Sequence, residues 1–238
     1  MKYWIFLLLL VGLGLAQECT VDLEMKLSPV GTNSDIGATY IIDCFSDTYD
    51  GQVNNIRLNL ETGKGIGVSD ASGPLQAELN DPDYFRLTNM DEYYLLSVRP
   101  RTGIVIGPFG NEYRLTVSYP AKGVLAPVED NIKFTPETAV ISPKLMVQVG
   151  NTKTLVDVEI NRYTFIIDLP DGSELKESSV PCTISQGTLT CKTDASGVSG
   201  LTIMWREKPL SEQVAKKGMP WVMVGIKSFL GKYLGGLI

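Results

Sequence analysis

The chain has 238 residues, 20% of them charged, with 27 acidic against 21 basic side chains and a net charge of −6. It contains four cysteines and no histidine. The missing imidazole excludes Ser-His and Cys-His nucleophile activation, the H-E-x-x-H zinc site and histidine acid–base work; with the thiols bridged, carboxylates are what remains for hydrolytic or hard-metal chemistry.

Residues 1–16 have the three parts of a secretory signal: Lys2 as the charged start, the apolar run Ile5 to Leu15, and the small-x-small site Gly14-Leu15-Ala16. The run is shorter than the roughly 20 residues of a bilayer span, so cleavage before Gln17 is expected rather than anchoring. From Gln17 to Ala215 lie all 27 acidic residues and 16 basic ones, a net −11, whereas four lysines and no acid occur from Lys216 onward, a net +4. A body this acidic repels phosphate backbones, and no nucleic-acid partner is expected.

Along the body, apolar residues recur with period two, the pattern of strands with one wet face. Val21, Leu23, Met25 and Leu27 alternate with Thr20, Asp22, Glu24 and Lys26, and Cys19 shares the apolar parity. Cys44 shares parity with Tyr40 and Ile42. Ile56, Leu58 and Leu60 repeat the pattern, as do Tyr113, Leu115, Val117 and Tyr119, then Val156, Val158 and Ile160. Turn signals fall at Asp50-Gly51, Thr62-Gly63, Asp171-Gly172 and Asp194-Ala195-Ser196-Gly197, and no amphipathic helix interrupts the body.

Acidic neighbours occur at Asp81-Pro82-Asp83 and Asp91-Glu92. Asp81 and Asp83 are a weak calcium candidate, because the spaced D-x-D-x-D-G pattern is missing; a solvated loop is the simpler reading, and no cofactor is indicated. The Tyr-rich stretch from Tyr84 to Tyr94 is a candidate contact surface, although core packing is the commoner role of such tyrosines.

Four cysteines allow three pairings. In the segment Cys182 to Cys191, a two-residue turn at Gln186-Gly187 sets Cys182 opposite Cys191 as a non-hydrogen-bonded pair, where strands approach closely enough for a bridge. Elimination then leaves Cys19 with Cys44. No C-x-x-C spacing supports a redox or metal site.

Pro120, Pro127, Pro136 and Pro143 follow in quick succession, and proline cannot donate to a central ladder. The expected organisation is therefore all-β: a sandwich over residues 17–125, a Pro-rich linker over 126–140 and a smaller sandwich over 141–207, with one continuous sandwich as the alternative. Residues 208–238 supply a basic linker and a C-terminal helix.

The tail from Trp221 to Ile238 has 18 residues, about 27 Å as a helix and slightly short of a bilayer core. Lys227 and Lys232 lie inside it and Lys216 and Lys217 precede it, the reverse of the lysine placement that a span leading out of an external body requires. On a helical wheel Ile226, Phe229, Leu230, Tyr233, Leu234 and Leu237 gather opposite Lys227 and Lys232, with Trp221 fitting neither side cleanly. The stretch Gly225 to Lys232 resembles the lysine and glycine pattern of membrane-active peptides. These nine residues are the candidate membrane contacts of a helix lying in the lipid surface; a span or docking on protein are the alternatives.

Two stretches resemble immunoglobulin-like modules of prokaryotic cell-envelope proteins. Tyr84 to Leu87, Tyr94 to Pro100 and Gly110 to Val117 are similar to the last hairpin of such domains, especially archaeal ones. Gly187 to Val198 is similar to the T-D-x-x-G turn of bacterial repeats. Gly200, between that turn and the alternating Leu201, Ile203 and Trp205, has no place in the pattern. The resemblance implies two tandem immunoglobulin-like β-sandwich domains acting as a surface scaffold or adhesin-like module, and carries over no catalytic residue. The expected protein is non-enzymatic, extracytoplasmic and membrane-associated, with the lipid surface and an envelope protein or a second copy of itself as partners. A membrane-active effector is the first alternative, and a carboxylate-dependent hydrolase the second.

Overall fold

The computed structural model describes residues 19–30, 32–47, 49–80, 94–109, 111–136, 139–170 and 172–207. Its first unit is a long hairpin of β1 (Cys19–Val30) and β2 (Asn33–Cys44), in register from Cys19 opposite Cys44 to Val30 opposite Asn33. Sequence alternation becomes alternation in burial. Val21, Leu23, Met25 and Leu27, with Ile36, Ala38, Tyr40 and Ile42 facing them, are at most 2% exposed. Burying an aliphatic side chain of this size contributes about 1.5–3 kcal/mol, which makes this face a principal source of stability.

The hairpin lies at the centre of an eight-stranded sheet. On the β2 side come β9 (Tyr113–Ala121), β4 (Gly67–Asp70) and β5 (Gly73–Pro74). On the β1 side come β14 (Ile160–Asp168), β17 (Thr188–Asp194) and β16 (Cys182–Ser185). β14 runs parallel to β1, whereas every other neighbouring pair in this sheet is antiparallel.

A second sheet is built on β3 (Gly51–Leu60). β12 (Lys144–Val149) and β13 (Thr152–Asp157) follow on one side, and β7 (Tyr94–Val98) and β6 (Ala77–Asn80) on the other, with β8 (Ile104–Ile106) beside the first residues of β3. The β3–β12 register shifts at Asn54, with Asn55 opposite Met146 and Val53 opposite Val147. That extra residue is a bulge, and it returns Val53 to the buried face shared by Ile56, Leu58 and Leu60.

The third sheet orders β10 (Leu125–Val128), β11 (Asn131–Phe134), β18 (Ile203–Arg206) and β15 (Glu174–Ser178). It covers the first through aromatic contact: Phe134 meets Phe165 edge-on at 5.8 Å, and Trp205 is fully buried. The only α-helix among the described residues is one turn, α1 (Ala195–Val198), followed by Gly200 at φ 72. Left-handed backbone just past a helix end favours glycine, which gives this residue its place.

The boundary expected at residues 126–140 is not respected by the strand pairing, and this corrects the tandem division. β1 pairs with β14 and β3 with β12, each time joining the two sides of the presumed linker, and β11, inside it, pairs with β18. The stretch itself contributes β10 and β11, and the buried apolar residues from both sides form one cluster. The prolines mislead because none removes a ladder donor. Pro120 lies beyond the last β4 partner of β9, at Ser118, and Pro127 sits on the edge strand β10. The Val156-to-Ile160 alternation is also divided, because β13 ends at Asp157 in one sheet and β14 begins at Ile160 in another.

Two buried tyrosines tie the first sheet to the segment leading into β12. Tyr40 Oη donates to the Ile141 carbonyl at 3.0 Å, and Tyr119 Oη donates to the Ala139 carbonyl at 3.0 Å. Burial, then the neighbouring Tyr119 phenol, pushes the Tyr40 hydroxyl well above the ordinary tyrosine value. Burial, then the Glu61 charge, raises Tyr119 as well.

Candidate functional site

Both disulfides form as the spacing predicts. Cys182 stands opposite Cys191 across β16 and β17, with Cα atoms 4.2 Å apart, and Cys19 opposite Cys44 across β1 and β2, at 4.1 Å. These separations are those of closely approaching, non-hydrogen-bonded pairs. The Gln186-Gly187 turn has φ of 50° and 82°, the double positive φ of a two-residue hairpin turn whose twist matches its strands. Cys19, Cys44 and Cys191 are buried, as their parity requires.

The T-D-x-x-G turn proves to be a stereochemical unit. Asp194 caps α1, its Oδ1 accepting from Ser196 Oγ at 2.6 Å and from the Gly197 N–H at 3.0 Å. Those two bonds, the Ser196 hydroxyl first, hold its carboxyl below the ordinary aspartate value. A Cβ on residue 197 would lie 2.0 Å from Thr193 Oγ1, so glycine is needed at 197 while threonine stands at 193.

Asp194 also borders a shallow depression on the wet face of the eight-stranded sheet, with Asp22, Glu24, Arg162, Thr164 and Lys192. Arg162 Nε donates to Asp22 Oδ2 at 2.9 Å. Asp22 is thus taken up in a contact with Arg162, and Asp194 is shifted opposite to what a general acid needs. A second groove of about 630 Å³ is lined by Glu61, Tyr119, Lys122, Ser142 and Lys144, and offers a single carboxylate rather than a facing pair. Among the described residues no group of three or more metal-ligating side chains occurs.

One exposed feature has no counterpart in the sequence reading. Phe109 is 92% exposed, Phe45 56% and Val105 48%. The Phe45–Gly107 bridge, with the Ser46 N–H donating to the Gly107 carbonyl at 3.2 Å, brings Phe45 beside the Ile104 to Phe109 segment. The signal that could have revealed it is Phe109 within Pro108-Phe109-Gly110, an aromatic at a turn where nothing local can cover it.

Of the other sequence-predicted sites, Asp81, Asp83 and the tail residues Trp221, Ile226, Lys227, Phe229, Leu230, Lys232, Tyr233, Leu234 and Leu237 lie outside the described residues. So does the Tyr-rich stretch apart from Tyr94, whose ring packs against the backbone of Gly63. Among the described residues, no helix is long and apolar enough to cross a membrane.

No protein-family model and no curated protein matches the chain. Solved structures similar to it include an M1 zinc metallopeptidase from Deinococcus radiodurans, with a TM-score of 0.41 and 10% identity over 80% of this chain and 42% of that one. Another is an aminopeptidase A from Legionella pneumophila in complex with aspartic acid, with a TM-score of 0.38 and 10% identity over 80% of this chain and 21% of that one. The chain thus spans less than half the length of either structure, and a likeness at this level assigns neither family nor activity.

Proposed function

We propose that this is a non-enzymatic, extracytoplasmic structural or interaction protein of the adhesin or scaffold kind, held at a membrane surface by its basic C-terminal segment. The observation that carries the reading is the pair of disulfides bracing one all-β body, since such bridges form and persist in oxidising compartments. Binding uses loops and strand edges on that braced body, with Phe45, Val105 and Phe109 as the apolar contact. Membrane attachment rests on the charge contrast between the acidic body and the lysine-bearing tail.

Fractionation of cells expressing the full chain or a version ending at Ala215 tests this. The full chain should enter the membrane fraction and the shortened one the soluble extracytoplasmic fraction. If both stay soluble after export, the anchoring half of the proposal fails. The +4 tail also favours a second reading, a membrane-active effector: leakage of anionic vesicles caused by the full chain but not by the shortened one would select it.

A further inference from the structure

We propose that β13 is a self-complementary docking edge through which two copies of this chain join their second sheets antiparallel, with Leu155 at the two-fold axis. β13 ends its sheet among the described residues. The other edges are blunted, each by a device that discourages pairing. β5 has two residues and includes Pro74, β6 and β16 have four each, β10 contains Pro127, and β15 is interrupted by a register shift at Lys176. β13 has six residues, no proline and an unbroken register with β12.

The backbone parity fits this use. The β12–β13 hairpin closes on Val149 opposite Thr152 around Gly150-Asn151, with Gly150 at φ 57. In a two-residue hairpin the closing pair is hydrogen-bonded, so Thr152, Thr154 and Val156 direct their amides and carbonyls at β12. Lys153, Leu155 and Asp157 direct theirs at the open edge. With Leu155 opposite its own copy, all three form hydrogen-bonded pairs with one another: Lys153 meets Asp157 of the second copy, and Asp157 meets Lys153.

The side chains fit the same register. Lys153, Leu155 and Asp157 are exposed on one face, and Leu155 is among the large apolar residues left in solvent, at 41%. Lysine on an edge ordinarily repels an incoming strand. Here the two-fold matches each lysine with an aspartate, and the apolar contact lies between them. Lys144, whose Nζ is 2.9 Å from Asp157 Oδ1, adds positive charge on the same side. A pairing of six residues buries little area, so the dimer is weak and concentration-dependent. The inference does not depend on membrane attachment.

Sedimentation velocity of the full chain over a concentration series tests it. Wild type should shift toward dimer as concentration rises. Lys153→Asp and Asp157→Lys each place like charges opposite one another twice, and each alone should weaken the dimer on the order of tenfold or more. An equimolar mixture of the two variants restores opposite charges at both contacts and should recover the wild-type dimer, which also verifies that both variants are folded. Wild type that stays monomeric overturns the proposal. So do variants that associate as wild type does, which would place association on another surface such as the tail, and so does a mixture that fails to recover.

Discussion

Replacing Tyr40 by phenylalanine keeps the buried ring and removes one hydroxyl, so the effect isolates a single hydrogen bond. The ring is 0% exposed and its hydroxyl donates at 3.0 Å to the Ile141 carbonyl. Loss of the bond, with that carbonyl left short of a donor, is expected to cost about 1–3 kcal/mol near pH 7. The pH dependence tests the account more sharply. An unfolded tyrosine releases its proton near pH 10, whereas folded Tyr40 and Tyr119 hold theirs to higher pH. The unfolded chain therefore binds fewer protons above pH 10, and stability falls there by up to about 1.4 kcal/mol per pH unit for each tyrosine. Below pH 10 their contribution is fully present. Urea denaturation followed by tryptophan fluorescence from pH 7 to 11 should show Tyr40→Phe weaker than wild type at pH 7, with the gap narrowing by about 1.4 kcal/mol for each unit above 10. Curves that stay parallel across this range would refute the buried, neutral hydroxyl. Tyr119→Phe should behave alike, and the double variant should be less than additive, because both bonds hold the same short segment.

Two further outcomes follow from the braces and the capped turn. Removing Cys19–Cys44, with a sequence separation of 25, should cost about 3.5 kcal/mol in the chain-entropy model. Removing Cys182–Cys191, with a separation of 9, should cost about 2.7 kcal/mol, so melting of the two paired-serine variants should rank in that order. Gly197→Ala should destabilise by about 1–3 kcal/mol through the Thr193 clash, and the same change in a Thr193→Ala background should cost markedly less in a denaturant double-mutant cycle. Equal costs in both backgrounds would show that the clash is not the cause.

The strands of the hairpins were readable because antiparallel pairing with one wet face writes a period of two directly into Val21 to Leu27 and Tyr113 to Tyr119. The cysteine pairs were readable because a two-residue turn fixes register nearby. What had no local signature was the partner across a long separation. Nothing in Val21 to Leu27 announces that Ile160 to Ile167 lies alongside in parallel. Proline is ambiguous for a related reason: whether its missing N–H matters depends on which side of a strand is occupied, and that is a property of the assembled sheet. Phe109 has no place in a period-two pattern, because its exposure is set by a turn and not by a strand face. The Asp194 cap, by contrast, lies within four residues and was visible as a motif before its geometry explained it.

The parallel pairing of β1 and β14 also orders events in time. β1 and β2 are adjacent in sequence and can close their hairpin, and its disulfide, as soon as Cys44 is available. The opposite edge of β1 stays open until residues about 140 positions later arrive, since Asp22 meets Arg162 across that interval. A central strand that waits this long for its second neighbour must bear a large loop-closure cost and exposes an apolar ladder meanwhile. Refolding from the oxidised chain should be faster than from the reduced one, because the Cys19–Cys44 bond holds the β1–β2 hairpin and shortens the chain path that must close to bring β14 alongside β1.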